Sequence, residues 1–266
     1  KEIFHVLDST SNKNLIESWH DAVHLKDEAQ NQFLVGLINL NDRALAERIY
    51  WGICRKIEKL GSRLKFLPED IRSLKTKLAD KYFCHLSVFQ SVPASWAIDQ
   101  VFPVVPLHRL NEEPDRDATL EDITCDSDGR IDTFIGNHRG TENTLRVHSL
   151  QPGENYPLCI FLTGAYQEIL GDLHNLFGDT NTVHVSLNED GSLNYEQIIE
   201  GEDVTVVLDY VQFSASELAG RIDGFLIGCV QRGVVTQKEA DDFLNLYKAG
   251  LNGYTYLVKP ETIEKD

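Results

Sequence analysis

Residues 122–132, DITCDSDGRID, set one cysteine among carboxylates: Asp122 precedes Cys125, and Asp126, Asp128 and Asp132 follow it. Like charges this close repel, and a thiol among them gains no stability from the company. The residue types admit two readings. One is an acidic turn, with Asp128 and Asp132 serving the chain reversal around Gly129. The other is a site for a cationic substrate with a proton donor beside it. A thiol has a reference pKa of about 8.5, so near neutral pH it is mostly protonated yet yields its proton readily. Carboxylates nearby disfavour the thiolate and keep the proton on sulfur.

A second unusual stretch is LTGAYQEILGDLHNLFGD, residues 162–179. An apolar strand is expected to end at TGAY, where Gly164 lets another group approach the backbone closely. Tyr166 then stands at a strand end, either with its phenol reaching out of the sheet or as a core tyrosine beside a turn. His174 and Asp179 are metal-ligand types, but two ligand types without a known geometry read more simply as hydrogen bonding within a turn. Arg109, Glu112 and Glu113 in HRLNEEP read as a surface or interface ion-pair network and not as catalysts. No GxGxxG, phosphate-binding loop or HExxH occurs.

These residues need a scaffold, and the chain offers three textures. Residues 14–80 read as helical: Leu15, Trp19 and Val23 fall at steps of four, and Ala46, Ile49, Ile53, Ile57 and Leu60 form one apolar stripe. LPED at 67–70 puts Pro68 where a further helix begins. From about 81, short β-rich runs follow: HLSVF, VFPVV, RIDTFI, LCIFLT, TVHVSL and VTVVLDYVQF. Pro106, Gly129, GNHRG, QPGEN and NEDGS separate them as turns, and NEDGS resembles a hairpin tip. This spacing predicts an antiparallel barrel or sandwich. SASE at 214–217 and TQKE at 236–239 match the capping box and open two further helices. Their stripes are Leu218, Ile222, Phe225 and Cys229, then Phe243, Tyr247, Leu251 and Tyr254. The expected class is α+β, divided as a helical bundle over 1–80, a β-domain over 81–213 and a helical extension over 214–266. No βαβ alternation is visible, which argues against a parallel-sheet enzyme with its own nucleotide site.

Composition narrows the function. A net charge of −17 repels phosphate backbones, so no nucleic-acid partner is expected. No apolar run is long enough to span a bilayer, and no membrane association is expected. The five cysteines, Cys54, Cys84, Cys125, Cys159 and Cys229, are odd in number and form no CxxC. That disfavours a disulfide framework or structural zinc and fits a reducing cytoplasm. Cys54 and Cys229 fall on helix faces and read as inert packing. The chain contains no methionine and no signal-like start, which reads as a piece of a longer protein or a processed product.

PLHRLNEEP (106–114), DITCDSDG (122–129), SWAIDQVFPVVPLHRLNEEP and GAYQEILGDLHNLFGD (164–179) resemble the biosynthetic arginine decarboxylase family. The resemblance covers essentially the whole chain. It implies a fold-type III pyridoxal-phosphate protein of the alanine racemase and ornithine decarboxylase superfamily, represented by its C-terminal portion. Family members are much longer, and the (β/α)8 barrel carrying the Schiff-base lysine and most cofactor contacts is absent from this chain. The implied activity converts L-arginine to agmatine and CO2 in polyamine (putrescine and spermidine) biosynthesis.

In that superfamily the site forms between subunits, as a homodimer or dimer of dimers, so the fragment alone is expected to be inactive. The resemblance implies that Cys125 is the proton donor to the carbanion left at Cα. It implies that Asp126 reads the substrate's distal guanidinium, a planar fork matched to a carboxylate. Asp128 is implied as a second anion in that pocket, although the ornithine enzymes place the second acid one residue further on. Tyr166 matches the tyrosine that contacts the cofactor phosphate or lies beside the ring. Phe177 lines the substrate mouth if it stands for a downstream aromatic of relatives. Magnesium is associated with the family, with no ligands identified. Two alternatives stand: a non-catalytic heterodimerisation module of the same superfamily, or a decarboxylase of ornithine, lysine or diaminopimelate.

Overall fold

The computed structural model describes residues 2–61, 68–136 and 140–257. It contains two compact units. The first is drawn from the described parts of Lys1–Lys81, Pro106–Thr119 and Asp132–Leu158; the second from those of Tyr82–Val105, Leu120–Ile131 and Cys159–Asp266. The chain adopts the mixed α+β class expected from its sequence.

The first unit opens with α1 (Glu2–Ser9), α2 (Leu15–Leu34), α3 (Leu40–Gly61) and α4 (Glu69–Leu78). The stripes read from the sequence face inward. Leu15 and Trp19 of α2, Ile49, Ile53 and Ile57 of α3, and Ile71 and Leu74 of α4 share one buried cluster, with Val23, Ala46 and Leu60 packed against it. Cys54 lies in the same cluster, and burial pushes its thiol pKa up, which suits inert packing. Pro68 precedes α4 directly, its φ of −56° already close to helical. Leu67, the first residue of LPED, lies outside the described residues.

Beyond the bundle the strands are short: β1 (Asp80–Phe83), β2 (Val104–Pro106), β3 (Arg116–Glu121), β4 (Arg130–Ile131), β5 (Phe134–Ile135), β6 (Thr141–Glu142), β7 (Leu145–Val147), β8 (Leu158–Ile160), β9 (Thr182–Leu187) and β10 (Leu193–Ile199). They form one four-stranded and three two-stranded sheets. In the first unit Arg116–Ala118 pair antiparallel with Leu145–Val147; in the second Leu120 and Glu121 pair with Ile131 and Arg130. The expected antiparallel barrel or sandwich is therefore realised as small sheets, with no closed barrel among the described residues. Several strands have only two or three residues, too few ladder bonds to close a barrel. Of the turn expected at 136–140, residues 137–139 lie outside the described residues.

Two runs rich in β-formers are helical instead. HLSVF leads into α5 (Val88–Ser91), which is followed by α6 (Pro93–Ala97), and VTVVLDYVQF becomes α8 (Val204–Tyr210), after α7 (Ala165–Ile169). Each has a capping side chain in front. The Ser87 hydroxyl accepts from Gln90 N at 3.3 Å, and the Asp203 carboxylate accepts from Val206 N at 2.9 Å. The cap satisfies a helix-terminal donor, while β propensity counts only where a pleated, half-buried surface is available.

NEDGS is the expected hairpin tip between β9 and β10. Gly191, at φ +82°, donates to Asn188 O at 2.9 Å, and Asn188 N donates to Ser192 O at 2.9 Å. The final helices are α9 (Ala215–Gln231), capped by Ser214, and α10 (Gln237–Leu251), opened by a complete Thr236–Glu239 capping box. Their inward faces follow the expected stripes except at the two phenylalanines: Leu218, Ile222, Tyr247, Leu251 and Tyr254 are half-buried. Ala219, Leu226 and Cys229 of α9 are buried while Phe225 is 65% exposed; in α10 Ala240 is buried and Phe243 is exposed.

Candidate functional site

The acidic segment resolves into carboxylates with different tasks. Asp122 is buried. Its Oδ2 accepts from Val88 N at 2.9 Å, and its Oδ1 accepts from Thr124 N at 2.9 Å and Thr124 Oγ1 at 2.7 Å. Its own N–H donates to Gly129 O at 2.8 Å, closing the loop on itself. Gly129 must be glycine for space: a Cβ there would lie 2.2 Å from Asp122 Oδ1. Gly129 N donates to Asp126 O at 3.2 Å, Arg130 N to Asp128 O at 2.8 Å, and Asp128 N to Asp126 Oδ1 at 3.0 Å. That last bond is an Asx turn.

Asp122 is thus the structural acid, and the loop it closes presents Cys125, Asp126 and Asp128, all exposed. Asp126 still has acceptor capacity beyond its turn bond, since a carboxylate offers about four lone-pair sites. The turn reading of this stretch and the ligand reading therefore coexist. Asp126 takes part in both, Asp128 contributes its backbone to the turn and leaves its side chain facing solvent, and Asp132 is half-buried.

A second segment of the same unit reaches this loop. His174–Leu176 is a 3-10 turn in which Asn175 and Leu176 have left-handed φ values of +58° and +62°. Asparagine tolerates this conformation; leucine rarely adopts it. Asn175 Oδ1 accepts from Cys125 N at 3.3 Å, and Asn175 Nδ2 donates to Cys125 Sγ at 3.2 Å. His174 Nε2 lies 3.7 Å from Asp126 Oδ2, and it is buried with no hydrogen-bond partner. The imidazole packs at a tilt of 45° against Phe89, with ring centroids 4.4 Å apart.

The chain after this turn is held from the C-terminal side. Phe177 packs at a tilt against Tyr256 at 5.2 Å, Tyr256 donates its hydroxyl to Gly178 O at 2.9 Å, and Gly178 N donates to Thr255 Oγ1 at 3.0 Å. Burial pushes the Tyr256 phenol pKa up, so this hydroxyl is a fixed donor. Phe177 is accordingly engaged in packing. Asp179 accepts from Gln90 Nε2 at 2.7 Å, so its carboxylate serves a hydrogen bond. Among the described residues no group of three His, Cys, Asp or Glu side chains is placed to hold a metal, and magnesium finds no ligand set there.

Tyr166 sits in the first turn of α7 and not at a strand end. Gly164 caps that helix at φ +70°. α7 turns Gln167 inward, where its Oε1 accepts from Ala94 N at 3.0 Å, and leaves Tyr166 76% exposed. The phenol is thus displayed, as one of the two sequence readings required, but on a helix. In the first unit, Arg109 is an internal tie: its guanidinium reaches Ser149 O at 3.1 Å, Glu154 at 3.3 Å and Glu112 at 3.2 Å. Glu113 is exposed. Asn175 and Gln90 were not singled out from the sequence, and Asp122 was named only as a member of the acidic run, with no role of its own. Asn175 lies inside a stretch flagged for its neighbours, but its partner is 50 residues away, beyond any local pattern.

Comparison with known proteins agrees with the sequence resemblance. Two family profiles match: the arginine decarboxylase helical bundle domain over residues 1–75 and the arginine decarboxylase C-terminal helical extension over 204–257. The biosynthetic arginine decarboxylase of Bacteroides thetaiotaomicron is 51% identical over 257 residues, 97% of this chain and 40% of that protein. That of Phocaeicola vulgatus is 48% identical, over 96% of this chain and 40% of its own length. The crystal structure of the biosynthetic arginine decarboxylase from Campylobacter jejuni superimposes with a TM-score of 0.77 at 30% identity, again over 97% of this chain and 40% of the other. Over nearly its whole length the chain is therefore similar to biosynthetic arginine decarboxylases, and it spans about two-fifths of the length of the relatives it matches.

Proposed function

We propose that this chain is the C-terminal part of an arginine decarboxylase that converts L-arginine to agmatine and CO2 in putrescine and spermidine biosynthesis, its site completed by a partner barrel in a homodimer or dimer of dimers. The division into 1–80, 81–213 and 214–266 belongs to the same reading. Pyridoxal phosphate, when bound, supplies the electron sink for loss of the substrate carboxylate. The chain's own part is to finish the reaction and to select the substrate. Cys125 Sγ–H delivers a proton to Cα. Asp126 accepts two N–H bonds from the guanidinium, with Asp128 as a second anion. Tyr166 offers a neutral hydroxyl toward the cofactor phosphate, a role its exposed phenol fits.

The observation that carries this reading is that Cys125 and Asp126 are exposed side chains on a loop anchored at both its ends and its middle, in a chain similar to proteins named for that activity. Five free cysteines among the described residues suit a reducing cytoplasm, and no helix there is long and apolar enough to cross a membrane. The test is reconstitution: the chain is combined with a barrel segment of the same protein, and CO2 release is measured from arginine, ornithine, lysine and diaminopimelate. Release from arginine alone is expected; a folded, cofactor-loaded assembly that releases none, or prefers another substrate, overturns the assignment.

A further inference from the structure

We propose that Asn175 is a positioning residue that holds the Cys125 thiol in place for proton delivery, a role that rests on the proposed function of Cys125. Three observations converge. Both polar atoms of one amide are spent on one residue: Oδ1 receives the Cys125 N–H at 3.3 Å, and Nδ2–H is given to Sγ at 3.2 Å. The first bond sets the backbone of the exposed loop residue; the second sets the side-chain torsion that aims the sulfur. Asn175 reaches this position only through a left-handed backbone, φ +58° and ψ 25°, followed by Leu176 at φ +62°. A leucine held there costs local conformational energy, which persists only where surrounding structure imposes it. That surround is present: the tilted ring contact of Phe177 with Tyr256 and the hydrogen bonds at Gly178 fix the chain just beyond.

The chemistry explains why an exposed thiol needs this. Cα protonation requires the S–H to lie near one face of one carbon, and a free cysteine rotates among three χ1 wells. A donor to sulfur selects one well. It also leaves the thiol's own hydrogen unshared, because Asn175 Nδ2 gives a proton and takes none, so the S–H remains available for transfer.

The experiment uses the full-length protein loaded with cofactor. Asn175→Gly keeps the left-handed backbone without strain and removes the amide; Asn175→Asp keeps the shape and the Cys125 N–H acceptor and loses the donor to sulfur. Both are expected to lower kcat about tenfold, the scale of one or two hydrogen bonds, while KM for arginine and the cofactor's absorbance spectrum stay unchanged. In a Cys125→Ala background the same substitutions are expected to change nothing further. A fall in KM-linked binding with kcat preserved, or an undiminished effect in the Cys125→Ala background, overturns the positioning role. If Cys125→Ala itself leaves turnover intact, it is the reading of Cys125 as proton donor that fails. If either variant melts below the wild type, the other decides, since the two alter backbone freedom and charge separately.

Discussion

The N-terminal helical bundle and the loops around Cys125 are held together by opposite means. In the bundle, apolar side chains from four helices share one buried cluster, and Ile53, Ile57 and Leu74 have no measurable exposure. Around Cys125 the fixing points are polar: the buried carboxylate of Asp122, the amides of Gln90 and Asn175, and the hydroxyl of Tyr256. Hydrophobic burial is non-directional and grows with area, so it makes a stable block but aims nothing. Hydrogen bonds contribute little net energy each, yet their geometry is strict, so they suit a loop that must display two side chains in defined positions. The difference predicts that bundle substitutions act on stability and loop substitutions on turnover.

The largest effect that would break this contrast is at the thiol. Cys125→Ala in the full-length enzyme is expected to lower kcat by about 10²–10⁴-fold, the usual scale for loss of a general acid, with the melting temperature unchanged. Steady-state CO2 release and calorimetry check both halves. The counterpart in the bundle is Ile53→Ala, which leaves a cavity in a closed cluster. A loss of about 2–5 kcal/mol in urea unfolding is expected, with KM for arginine unmoved.

The contrast can be sharpened with pH. Cys84 lies in the second unit, and burial, with the Glu121 charge as a lesser cause, pushes its thiol from 9.0 up to about 11. The raised value means the folded state binds this proton more tightly than the unfolded chain does. Stability from Cys84 is therefore complete below pH 9, falls as pH rises toward about 11 and levels beyond it. Across that window wild type should lose about 2 kcal/mol more than Cys84→Ala, measured by denaturant unfolding at each pH. An equal loss in both would show that the thiol is not desolvated. The smallest expected effect on turnover is at Gly129→Ala, whose new Cβ meets the pinned Asp122 carboxylate. A cost of about 1–3 kcal/mol is expected, together with a several-fold drop in kcat as the displayed residues move. A stability cost with no change in turnover would separate the loop's anchoring from its chemistry.

Sequence alone determined the elements whose signals are local. The stripes of α2 and α3, the break at Pro68, the hairpin tip at Gly191 and the caps at Ser214 and Thr236 repeat or terminate within one or two turns of chain, so their physics is complete at short range. The burial of Cys54 and Cys229 was legible for the same reason, as each lies on an apolar stripe. Resemblance supplied the candidate roles of Cys125, Asp126, Asp128 and Tyr166.

Only the tertiary structure decided which carboxylate of the acidic run would be buried. That choice went to Asp122 because the Val88 amide, 34 residues away, needs an acceptor. It likewise decided that two runs rich in β-formers coil into helices behind their caps and that Phe225 faces outward. It put Tyr166 on a helix and brought Asn175 to the sulfur. The burial of Asp122 and the placing of Asn175 each depend on a partner distant in sequence, and a donor without its acceptor leaves no periodic trace along the chain.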